Sequence, residues 1–138
     1  DAKAKAEADA KAKAEAKPKE KTGAQKRADI IAYAKQFLGT RYVWGGSTPK
    51  GFDCSGLVQY SHRNAAGINL PRVSHQQGRA GTVVSAKDAL PGDIVYYPRG
   101  HVGIYLGNGK LIHAAGTRYG VIIGGVNDFG YHKFVRVT

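Results

Sequence analysis

The chain has 138 residues, a formal charge of +11 and one cysteine. That length holds one domain plus an appendage, and a lone cysteine excludes an intramolecular disulfide. No run of about 18 apolar residues occurs, which excludes a membrane-crossing helix within this sequence.

Residues 1–8 read DAKAKAEA, and residues 9–16 repeat them unchanged. Alanine, lysine and glutamate favour helix, but the pattern offers no apolar stripe to pack. Residues 1–22 therefore read as a solvated low-complexity spacer ending around Pro18, with a polymer-binding tail as the alternative. The start at Asp1 and the lack of methionine read as a processed or excised piece, compatible with a removed signal peptide or an upstream domain. Residues 23–138 form the expected domain. They hold 14 Lys plus Arg against 5 acids, so the domain attracts polyanions. No nucleic-acid module is recognisable in it.

Within the domain, Ile30, Ile31, Ala34, Phe37 and Leu38 recur at helical spacing between Lys26 and Leu38, with Gly39 as the expected C-cap. An aromatic segment, Arg41 to Trp44, runs into Gly45-Gly46 and a loop through Pro49 and Gly51. Residues 53–66 read as a second helix, with Leu57, Val58 and Ser61 on its buried side and Gly67 as its stop. Beyond Pro71 the texture changes to short strands at Ile94–Tyr97, Val102–Leu106, Leu111–Ala115, Val121–Ile123 and Lys133–Val137. Helices followed by strands predict an α+β domain with an antiparallel sheet.

Cys54 falls where a loop becomes a helix, where the helix dipole and free N–H groups favour thiolate. Gly56 leaves little bulk beside it. A nucleophilic cysteine needs a base, and the base an orienting partner. Histidine suits the base role, and the candidates are His62, His75, His101, His113 and His132. His62 is expected to be exposed, His132 peripheral, and His75 in a loop near the cleft.

His101 and His113 flank one hairpin. A two-residue Asn108-Gly109 turn would set the two imidazoles on opposite faces. A three-residue Gly107–Gly109 turn, with Gly109 left-handed and a bulge beside it, pairs Gly103 with His113. His101, Gly103, Tyr105, Leu111 and His113 then share one face, while Val102, Ile104, Leu106, Ile112 and Ala114 form an apolar one. This second register is preferred. It makes His101 the general base and His113 its orienter, with Gly103 admitting the cysteine helix between them. Zinc ligation by Cys54 and histidines is disfavoured, because neither CxxC nor HExxH occurs; no metal or cofactor is expected.

Tyr42-Val43-Trp44-Gly45-Gly46 followed by Phe52-Asp53-Cys54-Ser55-Gly56-Leu57-Val58 resembles the opening signature of the NlpC-type cell-wall cysteine peptidases. Leu70 to Ser74, Leu90 to Val95, His101 to Gly107 and Leu111 to Ala114 continue in that family's order. The resemblance covers roughly residues 26–138. It implies a papain-like α+β fold and a triad falling on Cys54, His101 and His113. It further implies a supporting or oxyanion role for Tyr42, and substrate contacts from Asp53, Ser55, Arg72 and Ser74.

The activity so implied is hydrolysis of peptidoglycan stem peptides between D-glutamate, through its γ-carboxyl, and the diamino acid, by a secreted, wall-associated or periplasmic bacterial enzyme. Peptidoglycan and anionic wall polymers are the expected partners, nucleic acid is not one, and the chain is expected to act as a monomer. Three alternatives stand: an N-acetylmuramoyl-L-alanine amidase, an acyl transferase on the same site, and a non-catalytic wall-binding module.

Overall fold

The computed structural model describes residues 21–138. The spacer reading rests on residues 1–20, which lie outside the described residues.

Helix α1 spans Gly23–Lys35 and starts on a capping box. The Thr22 hydroxyl accepts the Gln25 N–H at 3.1 Å, and the Gln25 side chain accepts the Thr22 N–H at 2.8 Å. That reciprocal cap satisfies two free donors and moves the helix three residues upstream of the expected start. The helix ends at Lys35, not Leu38, and Gly39, at φ +90°, closes the turn that follows. Strands β1 (Ser47–Thr48) and β2 (Gly51–Phe52) form a small hairpin leading into α2, Cys54–Ala66. Asp53 caps the start of α2, and Gly67, left-handed at φ +68°, ends it as expected. A short helix α3 covers Ser74–Gln77.

The remaining strands are β3 (Thr82–Val84), β4 (Ile94–Tyr97), β5 (His101–Gly107), β6 (Lys110–Ala114), β7 (Val121–Gly125) and β8 (Lys133–Arg136). They build one antiparallel sheet in the order β3-β8-β4-β5-β6-β7. One face packs beneath α1 and α2, where Ile30, Leu57, Val58, Val102, Ile104 and Ile112 are fully buried. The opposite face carries a smaller core of Val95, Tyr97, Leu111, Val126 and Phe134, closed by a 3-10 turn at Val126–Phe129.

The hairpin keeps the preferred register, with Ile104 opposite Ile112 and Tyr105 opposite Leu111. Its turn differs from the expectation. Gly107 pairs with Lys110, so Asn108 and Gly109, both at positive φ, form a two-residue turn. The register is restored by an irregularity between Tyr105 and Gly107, which leaves Leu106 as the extra residue. Gly103 also serves a different purpose. A Cβ there would meet Leu111 Cδ1 at 2.5 Å and His113 Cβ at 3.1 Å, so its bareness admits cross-strand side chains rather than the cysteine helix.

His62 corrects the expectation of exposure, since it is fully buried. Its Nδ1 lies 2.8 Å from the Val58 carbonyl one turn back. That local bond lets a polar ring enter the core without a distant partner. Burial lowers its pKa to about 4.

The Leu90-Pro91-Gly92-Asp93 stretch is structural. Asp93 is buried and receives Arg136 Nε and Nη2 at 2.9 and 2.8 Å, a forked ion pair locking β8 to the loop before β4.

Candidate active site

Asp53 organises the start of α2. Its Oδ1 accepts the Gly56 N–H at 2.7 Å, and its Oδ2 accepts the Gly45 N–H at 3.1 Å. A Cβ on Gly56 would lie 2.0 Å from the Gly46 carbonyl oxygen. The glycine therefore admits the Gly45-Gly46 loop, rather than clearing space at the sulfur as the sequence suggests. Arg72 reaches into the same corner, donating to Ser55 Oγ at 2.7 Å, Asp53 Oδ2 at 2.9 Å and Gly46 O at 3.3 Å. Buried Gln77 donates to the Ser55 and Pro71 carbonyls at 3.0 and 2.8 Å. Sequence reading missed Gln77, because a glutamine in a polar loop gives no periodic signal.

These residues form one wall of a cleft of about 500 Å³. Tyr42, Asp53, Cys54, Ser55, Arg72, Ser74 and His101 all line it, with Trp44 at its rim 87% exposed. His113 is fully buried behind His101, and their rings meet at 2.8 Å between His101 Nε2 and His113 Nδ1. Phe129 packs edgewise on His113, with ring centroids 5.1 Å apart, and tilts against His101 at 5.5 Å. Tyr97 covers His101 from β4 at 5.8 Å.

The other histidines stay out of the cleft lining. His75 bonds the Tyr96 hydroxyl, and His132 sits against Tyr97 and Phe134. A second concavity, between α1 and Leu90-Pro91, is lined by alanines, Ile31, Arg27 and Lys35 and offers no acid, imidazole or thiol. Among the described residues no cluster of three or more His, Cys, Asp or Glu could hold a metal ion.

The electrostatics depart from the expected low-pKa thiol. Burial pushes the Cys54 thiol up, and the nearby Asp53 carboxylate adds to this. Amide hydrogens of Val102, Ser55 and Cys54 itself act in the opposite direction and prevail less. The Val102 contact puts the sulfur beside the chain neighbour of His101. His101 is lowered to about 4, first by burial, then by His113 and Arg99. Burial likewise takes His113 to about 4, against the pull of Asp128. A raised thiol and a lowered imidazole leave the resting pair neutral near pH 7. Tyr42 is raised by burial and by the charges of Cys54 and Asp53, so its phenol keeps its proton and can donate.

The chain is similar to several known proteins. The chain is 45% identical over 93 residues to the gamma-DL-glutamyl hydrolase of Bacillus subtilis (strain 168), a match covering 62% of this chain and 22% of that protein. It is 46% identical over 106 residues to the murein DD-endopeptidase MepS/murein LD-carboxypeptidase of Escherichia coli (strain K12), covering 74% of this chain and 56% of that one. The chain thus spans between about a fifth and just over half of these relatives' length. The crystal structure of the NlpC/p60 domain of the peptidoglycan hydrolase SagA superposes with a TM-score of 0.73 at 39% identity, covering 79% of this chain and 97% of that domain. The sequence pattern of the NlpC/P60 family matches residues 39–137, and the chain belongs to that family, with its papain-like α+β fold.

Proposed function

We propose that the chain is a peptidoglycan endopeptidase that hydrolyses stem peptides by acyl transfer through Cys54. One observation carries the reading: a thiol at a helix start and His101, hydrogen-bonded to the buried His113 behind it, line one cleft.

The neutral resting pair sets the order of events. His101 Nδ1 takes the Cys54 proton as the sulfur attacks the carbonyl carbon, which is general-base catalysis rather than attack by a preformed thiolate. Amide hydrogens at the start of α2 and the Tyr42 hydroxyl stabilise the developing oxyanion. His101 then protonates the leaving amine. A water, activated by the same ring, attacks the thioester, releases the acid and restores the thiol. Throughout, His101 Nε2–H donates to His113 Nδ1, which fixes the ring and its tautomer. Asp53, Ser55, Arg72 and Ser74 supply the wall that holds the substrate.

The bond proposed is that between the D-glutamyl γ-carboxyl and the diamino acid; the name of the Bacillus relative supports its γ-glutamyl side. The basic domain, with 14 Lys plus Arg against 5 acids, suits a wall rich in carboxylates and phosphates. The proposed site of action is outside the cytoplasm, where that polymer lies. The chain is proposed to act as a monomer.

Defined muropeptides test this by the masses of their fragments. Cleavage after D-glutamate is expected. Cleavage of the D,D cross-link would move the assignment to the other relative's bond, while release of an intact stem peptide would make the enzyme an amidase. No cleavage under any condition that keeps the domain folded would overturn the reading.

A further inference from the structure

His113 poses a question that the Cys54–His101 chemistry leaves unanswered. Its Nδ1 is taken by His101, while its Nε2 is sealed from solvent and has no hydrogen-bond partner among protein atoms. Proton placement follows from the reading above. If His101 Nδ1 is bare toward Cys54, its Nε2 carries the hydrogen, His113 Nδ1 accepts it, and His113 Nε2 must carry a hydrogen of its own. A buried donor of that kind calls for an acceptor.

The turn after β7 brings one. A Cβ on Gly124 would lie 3.0 Å from His113 Nε2 and 3.9 Å from Asp128 Oδ2. The two groups therefore border one small space, left open because residue 124 has no side chain. Asp128 is fastened there, its Oδ2 accepting the Gly125 N–H at 3.0 Å. Its chain neighbour Phe129 packs on both imidazoles, so one turn positions the aromatic cover and the carboxylate together. Other polar groups around the pair are Arg99, which bears on His101, and Tyr97, whose phenol is held neutral with its pKa near 12 and donates to the Val126 carbonyl. His132 lies beyond Tyr97. Asp128 is the group whose negative charge acts on His113 to favour its proton.

We infer that Asp128 is a positioning residue, its carboxylate facing the His113 Nε2 hydrogen across bare Gly124 and so fixing the tautomers of both histidines. Without it, His113 can move its proton to Nδ1. Two N–H groups would then face each other, and His101 would have to turn its bare nitrogen inward, away from the thiol. The inference rests on the Cys54–His101 reading, but its main readout does not need turnover.

The test is nitrogen-15 NMR of imidazole-labelled protein near pH 7, alongside steady-state kinetics. The native protein is expected to hold His113 as the Nε2–H tautomer. Asp128→Ala should yield a tautomer mixture and lower kcat about tenfold or more with KM nearly unchanged. Asp128→Asn retains an acceptor oxygen and should restore most of both. Gly124→Ala fills the shared space while leaving the turn's own cap intact, and should reproduce the tautomer mixture; it also decides the matter if Asp128→Ala fails to fold. A single Nε2–H tautomer and native kcat in Asp128→Ala, or in Gly124→Ala if that variant must stand in, would overturn the inference. The spectra can be taken in the Cys54→Ala background. Should that variant keep its activity, the Cys54 reading fails, and the tautomer still reports on Asp128.

Discussion

Two arms meet at the cleft, and they are made of opposite materials. The cysteine arm, from Tyr42 to Ser74, is held by polar bonds: Asp53 caps α2, Arg72 forks between Asp53 and Ser55, and Gln77 ties the loop to the Ser55 carbonyl. The histidine arm is held by packing. Tyr97 and Phe129 enclose the two rings, and a single ring-to-ring bond aligns them. Polar bonds give directional accuracy to the placement of the proposed nucleophile and its oxyanion donors. Aromatic enclosure strips water from the imidazoles and lowers their pKa values; in the proposed mechanism the proton therefore moves only when the thiol attacks.

Removing the centre of the histidine arm has the largest expected effect. His101→Ala should lower kcat/KM by roughly a thousandfold or more while leaving the fold intact, since the ring is a single base in a scaffold packed elsewhere. Muropeptide turnover and the thermal unfolding midpoint check the two halves of that statement.

Acid challenges the neutral histidines next. The folded pKa of His62 is about 4, below the ordinary 6.5 of an unfolded histidine. Between those values the unfolded chain binds the proton more readily, so stability is lost as pH falls from about 6.5 toward 4. For His62 alone the loss by pH 4.5 is about 2–3 kcal/mol. Urea midpoints at pH 7 and 4.5 should show it, and His62→Asn should reduce the difference. An unchanged difference would mean that His62 does not carry it.

The polar arm gives the smallest effect. Arg72→Lys keeps the charge but loses the fork that reaches Ser55, Asp53 and Gly46 together. A drop of about tenfold in kcat/KM is expected, with stability changed by less than about 1 kcal/mol because the pair is partly exposed. A large fall in the unfolding midpoint would show instead that the arm's polar bonds hold up the fold.

The two arms were also unequally legible in the sequence. Helix α2 announces itself through Leu57, Val58 and Gly67, core and stop residues, although Asp53, read as its first residue, is its cap. The hairpin register follows from Ile104 and Ile112 needing one apolar face, although the bulge falls at Leu106 and not beside Gly109, a position that no pattern specifies. The edge strand Thr82–Val84 escaped because its side chains are mostly exposed, so alternation has nothing to report. His62 escaped because a histidine that bonds its own helix looks polar in a periodicity count. The thiol's raised pKa arises from tertiary burial, which a helix-start argument leaves out. Asp128 approaches His113 only through the folding of β7 and its turn, and adjacency of that kind has no local signature.

Intact-protein mass spectrometry of a reaction quenched early bears on the central claim most directly. With a defined stem-peptide substrate, the native protein should carry an added mass equal to the acyl fragment, mapped to Cys54. Cys54→Ala should carry none and release no product. Turnover by Cys54→Ala, or an adduct on any other side chain, would contradict the account.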